Sequence, residues 1–331
     1  MSSSFFASKT VIFRRLPSSW KEKNTTYCPA VSDFSTIAKH NLPEPLRYRT
    51  MLPVILHHGF LGHGDIQIGP IKWSYFPGID RAITQLGHPL IVTNVHPTSS
   101  IENRASQLKE MIVKRMAAIG RSEGKAILMA HSMGGLDARY AVSKLGMDRY
   151  VAAVVTISAP HRGTCFADWV IENLGRRLGG IQLVNFLKLD WQAVMDLTTE
   201  RCAAFNQTVP DATGVRYFSV SACRPWTMIP PFALHSHHVV QAAEGDNDGL
   251  VSVKSSTWGE HLGVWKADHW HTINRRFMPE FKNATGNIAP RWVELLERVK
   301  VALEMPAGAD QDHAAGFAAP GFSAAQAIGP A

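Results

Sequence analysis

A chain of 331 residues with 45% hydrophobic and 18% charged residues has the composition of a globular protein with a substantial core, and disorder is excluded as the default. The formal net charge is +7, but residues 1 to 50 hold eight Lys and Arg against three Asp and Glu, so the basicity belongs mostly to an N-terminal arm and no nucleic-acid partner is expected. Cys28, Cys165, Cys202 and Cys223 lie far apart, which excludes a zinc knuckle or a disulfide-dense scaffold and points to reduced thiols, while no apolar run reaches the roughly 18 residues of a membrane span.

Residues 1–45 form the arm, rich in serine and free of acids before Glu22. That is the composition of an organelle transit peptide, or of a solvated arm with a few apolar anchors such as Phe5 and Phe13. No continuous hydrophobic signal-peptide core is present, so the protein is expected inside the cell, in the cytoplasm or an organelle. A domain over 46–305 follows, and an Ala/Gly/Pro-rich tail, 306–331, reads as disordered.

Within the domain, Pro53–Gly62 is an apolar strand ending in His-Gly, where backbone N–H groups turn into a cavity. Ile79–Leu86 reads as a short helix stopped by Gly87, and Pro89–Val95 as the next strand. Ser99 and Glu102 suggest a capping box, after which Ile101, Ala105, Leu108, Ile112 and Met116 recur at helical spacing. Lys125–His131 is another apolar run, Ser132 stands at a sharp turn with Gly134 and Gly135, and a helix begins there. Val151–Ser158 and Val215–Ser221 complete the strand series. Strands apolar on both faces and alternating with helices imply a mostly parallel sheet covered on both sides, with ligands at the carboxyl ends of the strands. The apolar helical stretch 164–212 interrupts that rhythm as a lid would. Residues 222–243 read as an irregular loop. Its His235, His237 and His238 invite a metal reading, but no acid or cysteine lies nearby to complete a site. A last amphipathic helix is expected over about 289–303.

The turn at Ser132 has the pattern of a nucleophile elbow, with Ala130 in the first small position. Alone it is a short motif that an ordinary strand-to-helix connection can carry. Downstream come the carboxylates Asp246 and Asp248 and the histidines His269 and His271, giving the chain order serine, aspartate, histidine. A serine hydroxyl needs an imidazole as general base, and the imidazole needs a carboxylate to fix its tautomer.

Four segments carry a specific resemblance: His58-Gly59-Phe60-Leu61-Gly62, Ala130-His131-Ser132-Met133-Gly134-Gly135, Ser158-Ala159-Pro160-His161-Arg162-Gly163 and Asn247-Asp248-Gly249-Leu250-Val251-Ser252. They resemble the motifs of pseudomonad-type bacterial triacylglycerol lipases and of related intracellular lipase-like α/β-hydrolases, over roughly residues 50–280. The resemblance implies an α/β-hydrolase fold, a mostly parallel sheet with helices on both faces and an inserted lid. It implies Ser132 as nucleophile, Asp248 as acid, His269 as base, and the N–H groups of Phe60 and Met133 as the oxyanion hole. The implied substrate is a lipid ester, with transient contact at a membrane or lipid-droplet surface. Acyl transfer by the same residues, and non-catalytic lipid binding, stay open as alternatives.

The chain also departs from the family. The calcium-ligating Asp that the secreted lipases place two residues after the catalytic histidine is His271 here, and the following Gln is Arg275. No acid occurs between Thr213 and Ala243, and the cysteine just after the triad Asp is Lys254. No calcium, other metal or cofactor is expected, and the family disulfide is lost.

Overall fold

Apolar runs bounded by glycine and proline become the strands of a six-stranded parallel sheet in a computed structural model that describes residues 51–64, 66–68, 71–177, 191–277 and 286–305. The N-terminal arm, the tail and the middle of the expected lid lie outside the described residues. The strands are β1 (Val54–His57), β4 (Leu90–Val92), β5 (Ala126–His131), β6 (Val151–Ile157), β7 (Arg216–Ala222) and β8 (Glu260–Trp265), in the order β4-β1-β5-β6-β7-β8. A small antiparallel hairpin, β2 (Ile66–Ile68) and β3 (Ile71–Trp73), stands apart. The long crossovers that parallel pairing requires are the helices α1 (Ile79–Gln85), α2 (Ile101–Ala118) and α3 (Gly134–Lys144).

Successive residues of a strand face opposite sides, so each central strand contributes to two cores. Val54 and Leu56 join a cluster with Ile79 and Ile83 of α1 and with Trp292, Leu295 and Val299 of α9 (Ala289–Glu304). Ile55 joins the other, with Leu108, Ile112 and Met116 of α2 and Ala138 and Val142 of α3. All six residues of β5 are buried, as a central strand covered on both faces must be. The carboxyl ends of β1, β5, β7 and β8 therefore open on one edge of a rigid platform.

The expected lid begins with α4 (Cys165–Arg177), and beyond 178–190 continues with α5 (Trp191–Asp196) and α6 (Thr199–Thr208). Ala193 and Cys202 of the last two pack on Met133 and Leu136 in a third apolar cluster, against which Phe60 also rests.

Several expectations are corrected. The stretch read as an irregular loop folds after Pro230 and Pro231 into a helix, α7 (Leu234–Glu244), which carries His235, His237 and His238. The N-cap of α2 is Ser100, whose side chain accepts from the Asn103 N–H, one residue later than the capping box placed it. A further one-turn helix, α8 (Val253–Ser256), follows the Asp248 loop. Cys165 and Cys202 are free thiols, but Cys223 is disulfide-bonded, so the expectation of four reduced cysteines fails there.

Candidate active site

β5 ends at His131, and Ser132 takes a positive φ of 55° before α3 starts. A non-glycine residue is rarely found there, and the strain is held by close packing on both sides of the turn. A Cβ built on Gly134 would lie 2.7 Å from the His58 carbonyl oxygen, and one on Gly135 would lie 2.5 Å from the Ala159 Cβ. Only glycine lets the first turn of α3 approach β1 and the loop after β6 this closely.

The Ser132 Oγ lies 3.0 Å from His269 Nε2, and His269 Nδ1 lies 2.8 Å from Asp248 Oδ2. Asp248 is fully buried, and its second oxygen accepts the N–H groups of Leu250 at 3.0 Å and Val251 at 2.8 Å. Its main-chain carbonyl accepts the His269 N–H at 2.8 Å, which ties the two loops together directly. Asp246 and His271 do not enter this chain of contacts: the Asp246 carbonyl accepts from the Val253 N–H, and His271 faces Arg224.

The loop after β1 lies against the serine. A Cβ on Gly59 would come within 2.7 Å of the Ser132 Cβ, so the backbone leading into Phe60 runs directly beside it. Buried polar groups hold this loop. Arg104 of α2, fully buried, donates to the His58 carbonyl at 2.8 Å, to the His96 carbonyl at 2.7 Å and to Asp137 at 2.8 Å. Burial pushes the His57 pKa down despite Asp137; the neutral ring donates from Nε2 to Asp137 and accepts the Thr93 hydroxyl at Nδ1. His58 accepts the Val95 N–H at Nε2 and donates from Nδ1 to the Gly59 carbonyl, and burial holds its pKa down at about 2. Sequence reasoning missed Arg104 and Asp137, which sit on two different helices and leave no local pattern.

His131 connects the two halves. Its Nδ1 accepts from the Tyr75 hydroxyl at 2.9 Å, and its Nε2 donates to Thr272 Oγ1 at 2.9 Å and to the His269 carbonyl at 3.2 Å. Tyr75 in turn accepts the Gly59 N–H at 3.3 Å. Burial holds His131 neutral, far below the usual imidazole pKa, and raises Tyr75 to about 12. The residue before the serine thus links the Phe60 loop to the His269 loop through neutral hydrogen bonds.

Among the described residues no group of three or more His, Cys, Asp or Glu is placed to hold a metal ion, and no helix is long and apolar enough to cross a membrane. His237 Nε2 donates to the Arg224 carbonyl at 3.1 Å, and His235 lies edge-on to Trp169 with ring centroids 4.4 Å apart. The three histidines of α7 are packing and hydrogen-bonding groups.

No protein-family model matches the chain. It is 33% identical over 219 residues to triacylglycerol lipase 2 of Saccharomyces cerevisiae, covering 62% of the chain and 63% of that relative. It is 28% identical over 268 residues to a triacylglycerol lipase of Vibrio cholerae, covering 71% of the chain and 83% of the relative. Among solved structures, the mature lipase BlEst2 of Bacillus licheniformis superimposes with a TM-score of 0.58 at 22% identity, over 79% of the chain and 96% of its own. The chain has the α/β-hydrolase fold. The lipase of Staphylococcus hyicus shares this fold, with a TM-score of 0.56 at 15% identity over 80% of the chain and 98% of its own.

Proposed function

We propose that this protein is a hydrolase that cleaves lipid carboxylic esters through an acyl-enzyme on Ser132. The observation that carries the reading is the continuous run from Ser132 Oγ through His269 to Asp248 at the carboxyl edge of the sheet. In this reading His269 Nε2 takes the hydroxyl proton as Oγ attacks the ester carbonyl, and Asp248 holds the imidazolium that forms. The N–H groups of Phe60 and Met133 hold the oxyanion, the second at the start of a helix. His269 then gives its proton to the departing alcohol, and water attacks the acyl-serine by the same steps.

Lipid preference is supported by the names of the relatives and by the surface beside the histidine. Trp270 packs edge-on to Phe232 at 4.7 Å and lies 5.8 Å from the His269 ring, while Phe232 and Phe277 are 5.3 Å apart and more than half exposed. Exposed aromatic rings grouped at a site mouth fit an acyl chain or a lipid surface better than water. The helices α5 and α6, packed on Met133, serve as the described part of the lid.

The test is hydrolysis of a soluble butyrate ester and of an emulsified long-chain triacylglycerol, each with and without chelator. Turnover of both, insensitive to chelator, is expected; activity on neither would overturn the reading. Phe232→Ala with Phe277→Ala should lower emulsion turnover by about 10-fold and leave the soluble ester within about 2-fold. Equal losses on both substrates would remove the surface role.

Asp248→Asn should lower kcat by about 10⁴-fold. Because two N–H groups point at one Asp248 oxygen, the asparagine must place its carbonyl there and its amide toward His269 Nδ1. The imidazole proton is then forced onto Nε2, where it cannot accept from Ser132. A fall in kcat of less than 100-fold would argue against this role for Asp248.

A further inference from the structure

Lys266 to His271, the segment that carries His269, follows β8 without entering a helix or strand until a single turn at its end. Its groups converge on one side chain. Arg224, two residues beyond β7 and 8% exposed, donates from Nε to the Lys266 carbonyl at 3.2 Å, from Nη1 to Asp268 Oδ2 at 3.1 Å and from Nη2 to His271 Nδ1 at 2.6 Å. These three acceptors bracket His269 on both sides. Asp268 uses its other oxygen within the segment, accepting the N–H groups of Trp270 at 3.1 Å and His271 at 2.9 Å.

The main chain of Arg224 faces the opposite way. Its N–H donates to the Asn247 carbonyl at 3.1 Å, immediately before Asp248, and its carbonyl accepts from His237 of α7 at 3.1 Å. One residue is therefore bound through its backbone to the loop of the acid and through its guanidinium to the loop of the base. A planar fork whose donors are spread over three nitrogens in fixed directions reaches three separated acceptors at once, which the single nitrogen of an ammonium cannot.

We infer that Arg224 is a positioning residue that locks the His269 segment against the Asp248 loop, so that the imidazole is held between Ser132 and Asp248. The inference rests on the Ser132, His269 and Asp248 reading given above. A displacement of the imidazole by about 1 Å costs on the order of 100-fold in rate. Loss of the fork should therefore appear in kcat and not in substrate binding.

The experiment compares the parent with Arg224→Lys, which keeps the charge and loses the fork, and with Arg224→Met, which loses both. Each is measured for kcat and KM on p-nitrophenyl butyrate, for the rate of Ser132 labelling by a fluorophosphonate probe, and for thermal unfolding. In both variants kcat and the labelling rate are expected to fall together by about 10- to 100-fold, with KM within about 2-fold. A folded variant of either kind with kcat within 3-fold of the parent would overturn the inference. So would failure of both to fold, which would make Arg224 a residue of general stability. If the parent itself takes no label at Ser132, the reading of the site fails first and this inference with it.

Discussion

Ser132→Ala is expected to lower kcat on a soluble ester by about 10⁴- to 10⁶-fold while leaving the thermal midpoint close to that of the parent. The magnitude follows from what the hydroxyl does. It is the attacking atom of the proposed reaction, and with it gone His269 has no proton to take and no acyl-enzyme can form. The structural cost is small, because the Oγ contacts His269 Nε2 and the Cβ that fills the space beside Gly59 is retained. Removing Ser132 and His269 together should cost no more than removing Ser132 alone, since the two act as one unit. The decisive comparison uses purified protein, with a fluorophosphonate adduct located by mass spectrometry in the parent and absent from the variant. Retention of more than about 1% of parental turnover by Ser132→Ala would mean that another residue is the nucleophile.

That serine was legible because its surroundings are local. The run from Ala126 to His131 is unbroken by polar side chains except at its end, and the small residues around the turn lie within three positions of it. The sheet was legible for the same reason: β1, β5 and β6 are buried on both faces and so read as continuous apolar runs. β8 is different. Only Trp265 among its six residues is buried, because the strand lies at the sheet edge, and Glu260, His261 and Gly263 interrupt any apolar run there. α7 was hidden by its proline-rich lead-in, with Pro225, Pro230 and Pro231, and by three histidines that look like ligands and are helix residues.

The supports of the site were the least legible part. Arg104, Asp137, Tyr75, Arg224 and Asp268 are single polar residues whose partners lie tens of positions away, such as Tyr75 with His131 and Arg224 with His271. Periodicity does not detect them, since none belongs to a repeating pattern. Their burial appears only once the chain has folded. A buried group of this kind must be matched by a partner, and the matching is a tertiary property. The candidate site could thus be assembled from motifs, but the hydrogen bonds that hold its loops could not.

The same buried network predicts a steep loss of stability in acid. His58, His131 and His161 are held neutral, chiefly by burial, with pKa values pushed down from 6.5, to about 2 in His58 and well below 6.5 in the other two. In the unfolded chain each takes up a proton near pH 6.5, so below that pH the unfolded state binds more protons than the folded one. Stability contributed by the neutral rings is full above pH 6.5 and falls as the pH drops. Each group removes on the order of 1–2 kcal/mol between pH 6.5 and 5, against a total stability on the order of 5–15 kcal/mol for a folded domain. Asp268 and Asp196, whose carboxyls burial raises, oppose this only nearer their own lower range. Urea unfolding at pH 7.5, 6.5, 5.5 and 5 should give a stability that declines by at least two protons per molecule at the acid end, since burial lowers the pKa values of His57, His88, His237 and His261 in the same direction. His161→Gln removes one titrating ring beside Thr156 and Arg139, and should reduce that slope by about one proton even if it lowers stability at every pH. A slope below one proton between pH 6 and 5 would mean that these rings are charged in the folded protein. The hydrogen bonds from His58 to Gly59, and from His131 to the His269 carbonyl, would then be arranged differently from those that hold the Phe60 and His269 loops in place.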